Sequence, residues 1–102
     1  MKKKKETINA VIKLPGKNPQ LRTIPNTLEA LQGLVGGYIE TLPVASDLVV
    51  IVNEEGRLQG LPYNMVFAGQ SLVGPIVFVG VDGEEFDDVP ELLRKQIMSL
   101  GR

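Results

Sequence analysis

The chain has 102 residues, a net charge of −1 and 43% hydrophobic residues, and it contains neither cysteine nor histidine. A chain of this length supports one domain with one core, so we expect residues 1–102 to form a single domain. The missing residue types exclude disulfides, thiolate nucleophiles and thiolate zinc sites, and they remove the commonest general base and metal ligand. We therefore expect a protein that is not an enzyme and uses neither a cofactor nor a metal.

The charges are unevenly distributed along the chain. Basic residues dominate the first 22 positions, beginning with the run Lys2–Lys5, and acidic residues dominate the remainder. We expect residues 1–6 to form a flexible basic N-terminus, with a polyanion-binding arm as the alternative. No aromatic residue in the run could stack on a base, so nucleic acid is not the expected partner. No apolar segment reaches the length of a membrane span or signal peptide, which predicts a cytoplasmic protein without a membrane partner.

Two strands are predicted before the first helix. Residues 7–14 alternate apolar and polar side chains, which is typical of a strand with one buried face. The Pro- and Gly-containing residues 15–20 predict a loop. Residues 21–25 are then expected to return as a second strand that pairs with the first.

The next segment has the pattern of an amphipathic helix. Asn26 is the expected N-cap, and Glu29 would complete a capping box. Gly36 and Gly37 are expected to end the helix, because glycine tolerates the left-handed closing conformation. The predicted buried stripe consists of Leu28, Leu31, Leu34 and Val35.

Two strands and a hairpin are predicted in the middle of the chain. Residues 38–44 indicate a short strand, which Pro43 places at its end or at a sheet edge. The β-branched run LVVIV at 48–52 indicates a central strand covered on both faces. Residues 53–56, NEEG, are expected to form a hairpin turn, with 57–61 returning as the partner strand.

The last third combines a strand with a helix. Residues 63–70 fit either a short helix or a loop, and residues 72–81 contain a buried strand. Asp88 is expected to cap a C-terminal helix, with Glu91 closing a second capping box. The predicted fold is α+β, with a mixed, mainly antiparallel sheet of about five to six strands and two helices packed on it.

Five polar or aromatic residues are the predicted ligand-binding set. An arginine guanidinium group can bind an anion through two parallel hydrogen bonds, and a tyrosine ring can stack on a planar ligand. An asparagine amide can both donate and accept hydrogen bonds. The set is Arg22, Asn53, Arg57, Tyr63 and Asn64.

Other clusters are better explained as structure. The glycines of GLVGG, 33–37, lie at a helix end, whereas phosphate sites use helix starts; close approach to a ligand remains the alternative. The acidic segment 82–91 fits a solvated helix entry, with partner binding and a hard-cation site as alternatives. Glu54 and Glu55 at an exposed turn do not favour a catalytic carboxylate pair.

Three stretches carry a resemblance to a known family. LEALQGLVGGYIE, VNEEGRLQGLPYN and GPIVFVG, within residues 28–80, resemble a family of small domains of unknown function found in phages and conjugative elements, some beside antirestriction modules. Small phage proteins of this kind often act by stoichiometric binding, and some are homo-oligomers that sequester nucleotide messengers of bacterial immunity. The resemblance therefore implies binding rather than turnover.

Two functions are compatible with these patterns. The first is a non-catalytic phage or mobile-element protein, a homo-oligomer in the host cytoplasm that sequesters an anionic nucleotide-derived signalling molecule. The alternative is a protein-interaction module that inhibits a host defence or restriction protein through the acidic surface at 82–91.

Overall fold

The computed structural model describes residues 4–100. The elements in chain order are β1 Thr7–Lys13, β2 Gln20–Pro25, α1 Leu28–Val35, β3 Ile39–Ala45, β4 Leu48–Asn53, β5 Tyr63–Phe67, β6 Gln70–Val73, β7 Ile76–Asp82, β8 Glu85–Asp87 and α2 Glu91–Met98.

The main sheet follows the distribution of apolar residues. Its strand order is β2-β1-β7-β4-β3, with β8 also pairing with β7, and β5 and β6 form a separate two-stranded hairpin. Every residue of β4 is buried, as expected for a β-branched run covered on both faces. The exposed strands β2 and β3 lie at opposite edges. The predicted α+β class and strand number are confirmed, and the pairings are all antiparallel.

The two helices lie on opposite faces of this sheet. Leu31 and Val35 of α1 pack in one apolar cluster with inward side chains of β1, β4 and β7. Ile97 of α2 and Leu72 of the hairpin pack in a second cluster on the other face. The hairpin is also held there by Phe67, whose ring meets Phe78 of β7 edge to face at a centroid distance of 5.1 Å.

The predicted cap of α1 is displaced by one residue. Thr27 is the N-cap, and its hydroxyl accepts a hydrogen bond from the backbone nitrogen of Ala30 at 3.1 Å. Asn26 is instead buried, and its amide donates to the carbonyl of Lys5 at 3.0 Å. Adjacent Asn and Thr are both good caps, so local preference could not separate them.

The predicted cap of α2 is also wrong. Pro90 occupies the N-cap position and makes no side-chain cap bond. Asp88 turns towards β1, where its Oδ1 accepts from the backbone nitrogen of Asn9 at 2.7 Å. The Asp88 carboxylate therefore connects the segment before α2 to the sheet. Its hydrogen-bond donor is a backbone amide of the distant strand β1 and not an amide of the first turn of α2.

The predicted hairpin after β4 is wrong as well. Residues 54–60 form consecutive turns, in which Gln59 donates to the carbonyl of Glu55 at 2.9 Å and Leu61 to that of Gly56 at 2.9 Å. These local bonds leave 57–61 without a strand partner. The next strand is β5, within the segment for which the sequence left a helix or a loop open.

The β5–β6 hairpin contains a strained residue that offers a stability test. Its two-residue loop is Ala68–Gly69, and Ala68 has φ +50°. Such loops favour Asn-Gly, because asparagine adopts the left-handed conformation more readily than alanine. We expect Ala68→Asn to raise the free energy of unfolding by about 0.5–1 kcal/mol in urea denaturation. Ala45→Asn, at an exposed strand position, is the control and should give no gain.

Candidate functional site

The two longest sequence motifs meet through the side chain of Asn53. Its Nδ2 donates to the carbonyl of Val35, the last residue of α1, at 3.1 Å, and to Oε1 of Gln59 at 3.3 Å. Its Oδ1 accepts from the backbone nitrogen of Glu55 at 2.8 Å. One buried amide thus fixes the turn segment 54–60 against the C-terminal end of α1. We call this contact region the motif junction.

Two further contacts tighten the motif junction. Glu54 donates its backbone N–H to the carbonyl of Tyr38 at 2.8 Å. A Cβ atom built on Gly37 would lie 2.9 Å from Nδ2 of Asn53, so the glycine permits the close approach. Gly36, with φ +80°, closes the helix as predicted.

The larger of two cavities at the motif junction lies over the end of α1. It is an open depression with a volume of about 490 Å³, and it is lined by Gln32, Gly33, Gly36, Gly37, Tyr38, Glu55 and Gln59. This volume is within the range of about 300–1,000 Å³ that is usual for ligand sites. Tyr38 is 67% exposed. We call this space the helix-end cavity.

The charge at the helix-end cavity is negative. The cavity lies at the C-terminal, partially negative end of α1, and the last turn of that helix carries no basic residue. Within the described part of the chain, Glu55 is the charged side chain that lines the cavity. The cavity therefore favours a cationic group over an anionic one.

The smaller cavity lies on the other side of the turn, between β3 and β6. It encloses about 170 Å³ and includes Arg57 with the carboxylates of Glu40, Glu54 and Glu55. The Arg57 guanidinium donates through Nη2 to the carbonyl of Ser71. The three acidic side chains outnumber the one arginine, so this cavity is also negative overall.

The structure brings together only some of the predicted site residues. Asn53 and Arg57 both line the smaller cavity. Tyr63 and Asn64 lie on β5, where the tyrosine is exposed and the asparagine is buried. Arg22 lies on the edge strand β2, and the smaller cavity adjoins β3 at the opposite edge. The five residues therefore do not form one cluster within a single chain.

Asn64 has a structural set of hydrogen bonds. Its Nδ2 donates to the carbonyls of Lys13 and Gly74 at 2.9 and 2.8 Å, and its Oδ1 accepts from the Lys13 ammonium at 2.9 Å. Lys13 is itself buried, so the asparagine oxygen replaces part of its hydration. Together these two residues attach β5 to β1.

The acidic segment is partly neutralised by the basic N-terminal segment. The Lys5 ammonium lies 2.6 Å from Oδ1 of Asp87 and 3.0 Å from Oδ2 of Asp88. Hydrogen bonds to Asp87 and then to Asp88 raise the pKa of Lys5 above its ordinary value. The two charged regions of the sequence thus meet in the fold. Lys2 and Lys3 lie outside the described residues.

Sequence reasoning missed four residues of the helix-end cavity: Gln32, Tyr38, Glu55 and Gln59. All four lie inside the two long motifs, which was the available signal. Each motif by itself predicts only a helix end or a hairpin turn. The two motifs share a cavity because Asn53 and the bond from Glu54 to Tyr38 bring them together.

The chain folds as a small α+β domain with two cavities beside a helix end and an adjacent turn. A family model described as a domain of unknown function, DUF3846, matches residues 8–100, and the chain belongs to that family. No curated protein and no solved structure matches it. Across residues 4–100, there is no helix with the length and hydrophobicity for a membrane span, and no group of three or more potential metal-ligating side chains.

The contact between Gly37 and Asn53 can be tested with a pair of alanine variants. We expect Gly37→Ala to lower the free energy of unfolding by about 1–3 kcal/mol, because the added methyl group would displace the Asn53 amide. Gly33→Ala should raise it by up to about 1 kcal/mol, because Gly33 lies within α1 with open space around it. Urea denaturation measures both, and equal effects would contradict the proposed contact.

Proposed function

We propose that this chain is a non-catalytic binding protein of phage or mobile-element type that inhibits a host protein by holding a basic segment of it. The supporting observation is the motif junction, where two cavities flank one turn and both carry negative charge. The sequence predicted that such an interaction would use the acidic surface at residues 82–91. We propose that it uses the motif junction instead. The proposed location is the host cytoplasm.

The acidic surface at residues 82–91 is less suitable for binding a basic segment, because part of its negative charge is neutralised within the chain. Asp87 and Asp88 pair with Lys5. The motif junction instead presents Glu40, Glu54 and Glu55, all exposed, around a rigid turn. Leu58 on this turn is 86% exposed, which supplies an apolar contact beside the carboxylates. Exposed apolar and charged groups on a preorganised turn favour recognition of a protein surface.

Sequestration of an anionic nucleotide-derived molecule by a homo-oligomer is the second candidate. Arg57 in the smaller cavity is the observation that favours it. A volume of about 170 Å³ is below the usual range for a ligand site, so a second copy would have to complete the pocket. In this candidate, Arg57→Ala should abolish binding. In the protein-interaction candidate, the same variant removes a positive charge and should strengthen binding to a basic segment.

Calorimetry with two ligand panels separates the candidates. One panel contains cyclic and ADP-ribose-type nucleotides, and the other contains a ten-residue peptide rich in Arg and Lys beside a peptide of the same apolar sequence rich in Glu. We expect the basic peptide alone to bind, with an affinity that falls as salt rises. Binding of a nucleotide but no peptide would establish the second candidate instead. Sedimentation of the same samples gives the oligomeric state.

A charge-matched control tests where the basic peptide binds. Glu55→Gln removes the charge of a residue that lines both cavities, whereas Glu85→Gln removes a charge from the strand β8. Both residues are exposed, and the net charge changes equally. We expect only Glu55→Gln to weaken binding. Equal weakening would show non-specific attraction to an acidic protein and would contradict the proposed site.

A further inference from the structure

We propose that the helix-end cavity binds the guanidinium group of an arginine side chain on the partner. This inference rests on the proposed function, because it specifies which group of the basic segment is the anchor.

Tyr38 exposes its aromatic ring at the helix-end cavity. Its ring is 67% exposed although the chain has few aromatic residues to form a core. Its backbone is fixed, since its carbonyl accepts from Glu54 and the next residue begins β3. An accessible aromatic ring on a fixed backbone is a suitable surface for a planar cation.

Glu55 and the end of α1 supply hydrogen-bond acceptors at the helix-end cavity. The backbone of Glu55 is held at the cavity by Asn53, and its exposed carboxylate extends from that fixed backbone. At the end of α1, the carbonyl of Gln32 is used by Gly36 and Gly37, and that of Val35 by Asn53. Gly33 lines the cavity, and its carbonyl receives no such bond from residues 4–100, so the end of the helix keeps acceptor capacity there.

The described lining of the helix-end cavity does not supply a cation to pair with Glu55. No lysine or arginine is among the described residues that line the helix-end cavity. Arg57, on the same turn as Glu55, points its guanidinium to the carbonyl of Ser71 beside the smaller cavity. The Glu55 carboxylate and the helix end therefore remain available to a cation from another molecule.

Other ligand classes fit the helix-end cavity less well. An anion would meet both Glu55 and the negative end of α1. A divalent metal would find one carboxylate, whereas such ions take several oxygen ligands. A guanidinium group matches all the features, because its flat face can stack on Tyr38 while its N–H groups donate to the carboxylate and carbonyls.

The test uses a probe pair that differs only in charge. The basic peptide of the calorimetric panel is made with a single arginine, all its other basic positions being lysine, and again with citrulline, a neutral analogue of similar shape, at that arginine. Amide resonances recorded by NMR report the location, and we expect shifts at residues 36–38 and 55–59. Replacing arginine with citrulline should weaken binding at least about tenfold, which is the loss expected for one charge-assisted contact with aromatic stacking.

Matched variants of the protein identify the anchor. Tyr38→Leu and Glu55→Gln should each weaken binding of the arginine peptide about five- to tenfold, and Tyr38→Phe should retain it. Tyr63→Leu, at a similarly exposed tyrosine, and Glu85→Gln, at a carboxylate on β8 that lines neither cavity of the motif junction, should have little effect. All four positions tested by substitution are exposed, so thermal unfolding should confirm that the variants fold.

The outcomes separate this inference from the proposed function. If the peptide binds but citrulline and Tyr38→Leu leave the affinity unchanged, the arginine site is overturned while the proposed function stands. Shifts confined to residues outside the motif junction would also overturn the site. If no basic peptide binds the folded protein at all, both proposals are wrong.

Discussion

Replacing Asn53 with leucine is expected to lower the free energy of unfolding by about 3 kcal/mol. The leucine keeps the volume but leaves the Val35 carbonyl and the Glu55 amide without their side-chain partner. Buried polar groups that lose their hydrogen bonds cost more than the bond itself contributed. Urea denaturation measures the change, and NMR should show the loss of a defined turn at 54–60.

An exposed asparagine provides the control for this variant. Asn18 lies in the loop between β1 and β2, and Asn18→Leu should change the free energy of unfolding by less than about 0.5 kcal/mol. Gln59→Ala removes only the 3.3 Å bond from Asn53 and should have an intermediate effect. A change of under about 1 kcal/mol in Asn53→Leu would contradict the role assigned to its amide.

A comparable or larger loss of stability is expected from Gly80→Ala in the central strand β7. The new Cβ would lie 2.0 Å from the carbonyl oxygen of Asp88 and 2.9 Å from its carbon, both backbone atoms. Relief requires moving Asp88 away from β7, which would break the bond from Val89 to the Asn9 carbonyl, 2.9 Å long. We expect a loss of about 3 kcal/mol or more by urea denaturation.

The methyl group added in Gly80→Ala has a matched counterpart in α1. Gly33→Ala makes the same chemical change where no atom lies within 4 Å, and it should stabilise the protein. Opposite signs for these two variants would confirm that Gly80 is required by the close approach of the chain at Asp88. Retention of full stability by Gly80→Ala would show that the α2 entry can move without cost.

These predictions divide the motif residues into two groups with different uses. Asn53 and Gly37 hold the motif junction together, and Asn64 performs a comparable task at the base of the hairpin. Tyr38 and Glu55 stay exposed on that rigid base. A preorganised surface of this kind binds with a smaller loss of conformational entropy, which is the physical basis of the proposed partner recognition.

The amino-acid sequence by itself determined the strand β1, the edge strand β3, the central strand β4 and the glycine end of α1. Each of these depends on local properties, namely alternation, β-branched runs, proline and the backbone freedom of Gly36. The sequence also predicted the α+β class. It misplaced both helix caps. At α1 the neighbouring Asn26 and Thr27 have similar local preferences, and at α2 the Asp88 carboxylate accepts from the distant strand β1 instead of capping the helix.

Only the tertiary structure decided what the polar motif residues do. Asn53 could open a turn or bind a ligand, and the carbonyl of Val35, 18 positions earlier, gave its amide a buried partner. From the sequence alone, Lys5 could be an unpaired charge, whereas the fold places its ammonium beside Asp87 and Asp88. A hydrogen bond or ion pair between distant segments leaves no local pattern, because it depends on how the sheet and the helices bring those segments together.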